Sequence, residues 1–312
     1  RTPKSGMFGA NFSTFHPAVF ILLGIPGLKN YHTWLSLPFC LMYITAVLGN
    51  GMLILVFSAH TLPQPMYVFL SMLAVTDILL STTTLPKMLA IFWFGATAIS
   101  SHSCLSQMFF IHAFSAMESG VLVITAMDHF VAICNPLHYA TILTPVVVAK
   151  TGGLVVLRGV GLTISFPSLA HWLPYCGSHI IAYTYCEHMA AVKLACGATT
   201  VDNLYAFAVA IFLGVGNIVR TVIHFSSPEA HAKADSTCVA HVCVILFFYG
   251  PGFLSVVMQR FGLPTASAAK VILANLYLLF PPALDPIVYG VKTKQIWEQL
   301  FKVLRSKQID PT

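Results

Sequence analysis

The sequence predicts an all-α membrane protein: a bundle of seven transmembrane helices followed by a short amphipathic cytoplasmic helix. Of its 312 residues, 57% are hydrophobic and only 8% charged, against about 25% charged in a soluble globular domain. The apolar residues gather into seven runs, each near the roughly 20 residues that a helix needs to cross hydrocarbon. Runs of alternating polarity are not visible, so the spans are read as helices rather than barrel strands. A net charge of +6 reflects few acids rather than a basic run, which gives no footing for nucleic acid and leaves the lipid bilayer as the partner.

Taken in order, the spans fall at about 35–57, 66–92, 106–134, 145–169, 204–225, 234–258 and 267–291. The first is a full span containing polar residues, not a short signal core, and is expected both to target the chain and to stay. The chain opens on Arg1, with Met7 as an alternative start. Seven spans put the termini on opposite sides. Basic residues are too evenly divided to orient the chain, but Asn11-Phe12-Ser13 is a glycosylation sequon, useful only if the N-terminus faces the lumen and then the outside. Lys292, Lys294, Lys302, Arg305 and Lys307 cluster after the last span, as befits a cytoplasmic tail at an anionic leaflet. In that tail Ile296, Trp297, Leu300, Phe301 and Leu304 recur at helical spacing, so it is expected to lie along the inner leaflet; a disordered tail is the alternative. The expected organisation is thus an extracellular segment (1–34), a seven-helix domain (35–291) and a cytoplasmic tail (292–312), in the plasma membrane.

Eight cysteines are too dispersed for a small disulfide scaffold. With this orientation Cys104 lies at the outer mouth of the third span, and Cys176, Cys186 and Cys196 lie in the long loop after the fourth, all in an oxidising compartment. A bridge from Cys104 would fold that loop over the bundle as a lid; four cysteines allow three pairings. Cys40, Cys134, Cys238 and Cys243 fall in or near spans and read as packed thiols.

Five segments then resemble a known family in the same order: Leu48-Gly49-Asn50 in the first span, PMYVFLSMLAVTD opening the second, MDHFVAICNPLHY closing the third, KADSTCVAHV opening the sixth and PPALDPIVYG in the seventh. Together they look like the signature segments of vertebrate odorant receptors, a branch of the rhodopsin-like G-protein-coupled receptors. LLGIPGL before the first span, FFIHAFSAMES in the third and the RFG after the sixth are similar to the fish-like class. The resemblance implies one bridge from Cys104 to Cys186 and a second from Cys176 to Cys196.

Asp77 and Glu118 lie mid-span, where an ionised carboxylate needs a partner, water or a proton. Asn50 and Asp285 are the available company, and the four groups can hold a hydrated sodium ion or share protons. The resemblance adds that related receptors hold sodium around the acid matching Asp77, and that Asp285 replaces the family's usual asparagine; a third acid tightens the ion or gives way to protonation. Beyond this possible sodium ion no cofactor is called for. Arg260, at the outer end of the sixth span, can grip a carboxylate by two parallel bonds or snorkel to headgroups; the resemblance favours a short carboxylic-acid odorant. His112 and Ser115, one turn apart on the third span, together with Ser255 and His188, are the other ligand candidates. For His112 a satisfied core histidine is the alternative. Phe109, Phe114, Phe253 and Leu254 can supply apolar surface or merely pack, and Arg158 has no legible partner.

At the cytoplasmic end the family's Asp-Arg-Tyr triplet is Asp128-His129-Phe130. An imidazole cannot reproduce the forked contacts of the arginine. The fifth span meets Arg220 early, about two turns short of the family's length, and Asp235 is an acid where the sixth-span opening is usually uncharged. The leading expectation is an odorant receptor that activates a stimulatory G protein. A non-coupling copy is the alternative, and an ion- or proton-conducting protein a third reading that the absence of internal repeats disfavours. An enzyme is not expected, since neither HExxH nor GxSxG occurs.

Overall fold

Helix α1 (His32–Ser58) places Trp34, Leu41, Leu48 and Leu55 seven residues apart, every one more than half exposed, while Phe39, Ala46, Asn50 and Leu53 are buried. A face of large apolar side chains turned outward and a face holding a buried asparagine is the reverse of a soluble helix, and is what a hydrocarbon solvent selects. The computed structural model describes residues 17–58, 64–175, 177–213, 216, 249–255, 258 and 267–292. Within them lie α2 (Pro65–Phe94), α3 (Ser101–Cys134), a one-turn α4 (Tyr139–Ile142), α5 (Pro145–Thr163), α6 (Ser165–Trp172), α7 (His188–Val192), α8 (Thr200–Leu213) and α9 (Ser267–Lys292). Residues 249–255, in the expected sixth span, are also helical.

Five helical stretches among the described residues are long and apolar enough to cross a membrane: Lys29–Ser58, Pro65–Phe94, Ser101–Cys134, Pro145–Trp172 and Ser267–Tyr289. The fourth joins α5 and α6, which are separated by a turn at Ile164. Helix α8 supplies the start of the fifth span and begins four residues before the apolar run at 204–225; its inner end lies outside the described residues. The other starts also precede the apolar runs or coincide with capping signals. Pro65 and Pro145 occupy first-turn positions, where their missing N–H costs nothing, and Ser100 and Thr144 accept the backbone N–H of Ser103 and Val147. Cap chemistry and hydropathy therefore agree at Pro65 and Pro145, while at Ser101 the cap starts the helix five residues before the apolar run.

The helices pack in the order α1 on α2, α2 on α3 and α3 on α5, while α9 closes back on α1 and α2. Small residues permit the closest approaches: a Cβ at Gly159 of α5 would come 2.7 Å from Met117 Cγ of α3. Arg158, for which the sequence offered no partner, lies with its guanidinium 5.7 Å from the Phe212 ring of α8, a cation–π arrangement.

Over one end of the bundle sits a small three-stranded sheet that sequence reading did not anticipate. Strand β1 (Val19–Leu22) pairs antiparallel with β2 (Ala98–Ser100) and parallel with β3 (Ile180–Ile181), in the order β2-β1-β3. Phe20, Leu22, Ile25, Tyr175, Ile181 and Tyr185 form the core beneath it. The Lys87 ammonium donates to the carbonyls of Ala96 and Ala98, 2.7 Å each, and holds the β2 turn in place. Cys40 and Cys134 are free, half-buried thiols. Asn11, Cys176, Arg220, Asp235, Cys238, Cys243, Arg260 and the basic tail from Lys294 lie outside the described residues.

Candidate functional site

The loop between α6 and α8 is a lid fastened at several points. A disulfide joins Cys104 of α3 to Cys186, the pairing implied by resemblance. The same turn is held by Gln107, whose Oε1 accepts Cys186 N–H at 3.1 Å while its Nε2 donates to the Thr83 carbonyl of α2 at 3.0 Å. Thr184 Oγ1 donates to Asn275 Oδ1 of α9 at 2.7 Å, and both groups are fully buried. Cys196 is also disulfide-bonded; Cys176, its expected partner, is not among the described residues.

Just past the disulfide, Glu187 caps α7 by accepting the Ala190 N–H, which turns His188 inward until it is 1% exposed. There it meets His112 of α3 across the ring of Phe166 from α6. Phe166 lies 4.4 Å from His112 and 4.9 Å from His188 between ring centroids, and the two imidazoles are 6.2 Å apart. Tyr205 of α8 packs on the same phenyl ring at 5.5 Å. Burial, with His112 adding to it, pulls the His188 imidazole down to about 3, so it is neutral near pH 7. Neither nitrogen of His188, nor Nδ1 of His112, has a hydrogen-bond partner among the described residues. Buried polar atoms without partners cost on the order of 1–3 kcal/mol each, so these three are the candidate contacts for a polar molecule.

Ser115, a turn below His112, sits against Tyr277 of α9. Ser255 is half-buried at the end of the helical stretch over 249–255. Phe253 and Leu254 are 59% and 47% exposed. Phe109 packs into the lower apolar core, beside the stacked rings of Phe110 and Phe114. A turn below Ser115, Ser119 bonds the Tyr249 hydroxyl at 2.6 Å and ties α3 to the helical stretch containing Tyr249.

Deeper in the bundle Asp77 of α2, Glu118 of α3 and Asp285 of α9 converge. All are at most 1% exposed, and one oxygen from each lies within 4.8 Å of the others. None of the six carboxylate oxygens has a hydrogen-bond partner among the described residues, and the same holds for Asn50 Oδ1 and Ser81 Oγ. Asn50 Nδ2 is occupied, donating to the carbonyls of Ala46 and Pro282 at 2.9 Å each. Three adjacent buried carboxyl groups cannot all remain ionised without a cation. The sequence marked these residues through their depth; it gave no sign of Ser81, which belongs with them by being one turn from Asp77 on the same face of α2.

At the opposite end of α3 from the lid, Asp128 is buried and accepts a 2.7 Å hydrogen bond from the Tyr139 hydroxyl of α4. Burial, then the adjoining Asp128 carboxylate, pushes the Tyr139 phenol up from its ordinary value, which keeps its proton in place as the donor. His129 Nδ1 lies 3.8 Å from the other Asp128 oxygen, beyond hydrogen-bond reach. Phe130 is half-buried beside them.

A polytopic helical bundle with a stapled lid over buried imidazoles, and a cluster of buried acids below them, has the form of a membrane receptor. A family model described as Olfactory receptor matches residues 39–307. The chain is 48% identical to Olfactory receptor 52K1 of Homo sapiens, over 97% of this chain and 100% of that protein. It is 47% identical to human Olfactory receptor 52K2 over 97% and 100%, and 46% identical to human Olfactory receptor 52N2 over 98% and 99%. The chain belongs to the olfactory receptor family. It is accordingly a seven-helix receptor of a family that senses odorants and couples to G proteins, a multi-pass protein of the cell membrane and not an enzyme.

Proposed function

We propose that the odorant is a short carboxylic acid held beneath the lid by His112, His188 and Ser115, with Arg260 and Ser255 as further ligand contacts. The observation that carries this reading is the pair of buried imidazoles, with unpartnered nitrogens, facing each other across Phe166. Neutral imidazole N–H groups donate to a carboxylate, and the Arg260 guanidinium supplies its countercharge. Binding shifts the sixth span outward and promotes nucleotide exchange on a stimulatory G protein. The lidded face is extracellular, because a disulfide between Cys104 and Cys186 persists in an oxidising compartment. This orientation gives an extracellular segment over 1–34 carrying sugar at Asn11, a seven-helix domain over 35–291, and a cytoplasmic tail over 292–312. A sodium ion among Asp77, Glu118, Asp285 and Asn50 is part of the same reading, supported by buried carboxylates without hydrogen-bond partners.

Expression with a cAMP reporter tests it. Short acids are expected to raise cAMP, and His112→Ala and His188→Ala to move the half-maximal concentration up by about tenfold or more, the effect of losing one hydrogen bond to a charged group. Unchanged responses in both variants would remove the imidazoles from the site. A second reading, a receptor that binds but does not couple, is favoured by His129 in place of the family's arginine. It predicts silence in the wild type to every odorant, with signalling restored by His129→Arg.

A further inference from the structure

The buried acids carry more charge than a sodium ion neutralises. We propose that the cage of Asp77, Glu118, Asp285 and Asn50 is a calcium-type divalent cation site, in which sodium is the weaker competitor. This rests on the cation-site reading above and names the ion.

Three features support it. With three carboxylates, a monovalent ion leaves two negative charges uncompensated in a region of low dielectric constant; a divalent ion leaves one. The spacing also fits. Calcium–oxygen distances are about 2.3–2.6 Å, so donors on opposite sides of the ion stand about 4.6–5.2 Å apart. The acids already present one oxygen each within 4.8 Å of one another. Magnesium, with bonds of about 2.0–2.1 Å, a strict octahedron and reluctantly lost water, fits a dry cage of this width less well.

The third feature comes from neutral groups. Asn50 and Ser81 are 1% and 0% exposed, and Asn50 Oδ1 and Ser81 Oγ have no partner among the described residues. The Asn50 amide nitrogen is fixed by the carbonyls of Ala46 and Pro282. Its oxygen is thereby left as an acceptor with no proton to accept. One oxygen from each acid, the Asn50 carbonyl and the Ser81 hydroxyl offer five donors, and bidentate binding by a carboxylate or a water supplies the remainder of the six to eight that calcium takes. Asp285 is the residue that decides the preference, because replacing it with asparagine keeps the oxygen and removes one charge.

The test is thermal unfolding of the purified full chain in lipid nanodiscs, in choline chloride, with calcium, magnesium or sodium chloride added separately. Calcium is expected to raise the melting temperature with a midpoint of about 10⁻⁴–10⁻³ M. At about 0.15 M sodium chloride that midpoint should move to higher calcium. Asp285→Asn is expected to lose the calcium response and retain the sodium response; Glu118→Gln serves as a second variant should Asp285→Asn fail to fold. Stabilisation by sodium alone in the wild type overturns the divalent assignment and leaves the sodium reading standing. Stabilisation by neither ion overturns both.

Discussion

Gly49 and Gly51, two residues apart on α1, should respond oppositely to alanine. A Cβ at Gly49 would stand 2.6 Å from Pro286 Cβ and 2.7 Å from its Cγ, whereas nothing lies within 4 Å of a Cβ at Gly51. Ordinary carbon contacts begin near 3.5 Å, and a proline ring inside a helix cannot swing aside, so α1 and α9 must separate by most of an ångström. Overpacking of this kind costs about 1–3 kcal/mol. Separation also stretches the neighbouring 2.9 Å bond from Asn50 Nδ2 to the Pro282 carbonyl, and interhelical bonds in membranes contribute about 0.6–1.7 kcal/mol. Less the gain of up to about 1 kcal/mol that alanine brings to any helix position, Gly49→Ala should destabilise the receptor by about 1–4 kcal/mol. Gly51→Ala gains up to about 1 kcal/mol of helix propensity and should be neutral or stabilising. Thermal unfolding of the purified proteins, with surface staining of intact cells alongside, measures both. Equal melting temperatures for the two variants would refute the close approach of α1 to α9 and the placement of Asn50 that depends on it.

Cys104→Ser and Cys186→Ser should each reduce surface expression, and the double variant should be no worse than either; closing an 82-residue separation is worth up to about 4.5 kcal/mol in the chain-entropy account. Additive losses would mean that the two cysteines act separately. Tyr139→Phe removes a hydrogen bond to a carboxylate worth about 1.5–3 kcal/mol and should raise basal cAMP several-fold by freeing the inner end of α3, a change that an unaltered baseline would contradict. His188 is neutral in the folded receptor, with its imidazole pulled down to about 3, whereas the unfolded chain takes up that proton near 6.5. Its contribution to stability is therefore full above about pH 6.5 and is lost as pH falls from there toward 3, by up to about 1.4 kcal/mol per pH unit. Melting curves between about pH 7.5 and 5 should flatten in His188→Asn; an unchanged slope would place the titration elsewhere.

Apolar length made the spans legible because a bilayer imposes one simple condition on every crossing helix. The starts at Pro65, Pro145 and Ser267 were legible to within a residue, whereas that of the third span lies five residues earlier, where Ser100 caps the helix in a way that hydropathy ignores. Asp77, Glu118 and Asp285 could be grouped in advance because mid-span acids are few; Ser81 could not, as a serine within a helix usually bonds its own backbone. His112 and His188 were named separately, yet Phe166, which organises both, carries no sequence signal that separates it from a packing residue. The short sheet that includes part of the lid was missed for a related reason. Strands of two to four residues are fixed by long-range pairing, as between Ile21 and Ile180, rather than by local pattern. The partner of Arg158 was hidden in the same way, in a helix more than fifty residues away.

Acid binding beneath the lid is tested most directly by the cAMP response to short carboxylic acids and to alcohols and amides of the same shape. Measured in wild type and in Arg260→Ala, the acids should activate wild type and lose at least about tenfold in potency in the variant, the expected loss of a bidentate ion pair, while the neutral odorants keep theirs. An equal loss for acids and neutral odorants, or acids no better than their neutral counterparts on the wild type, would contradict it.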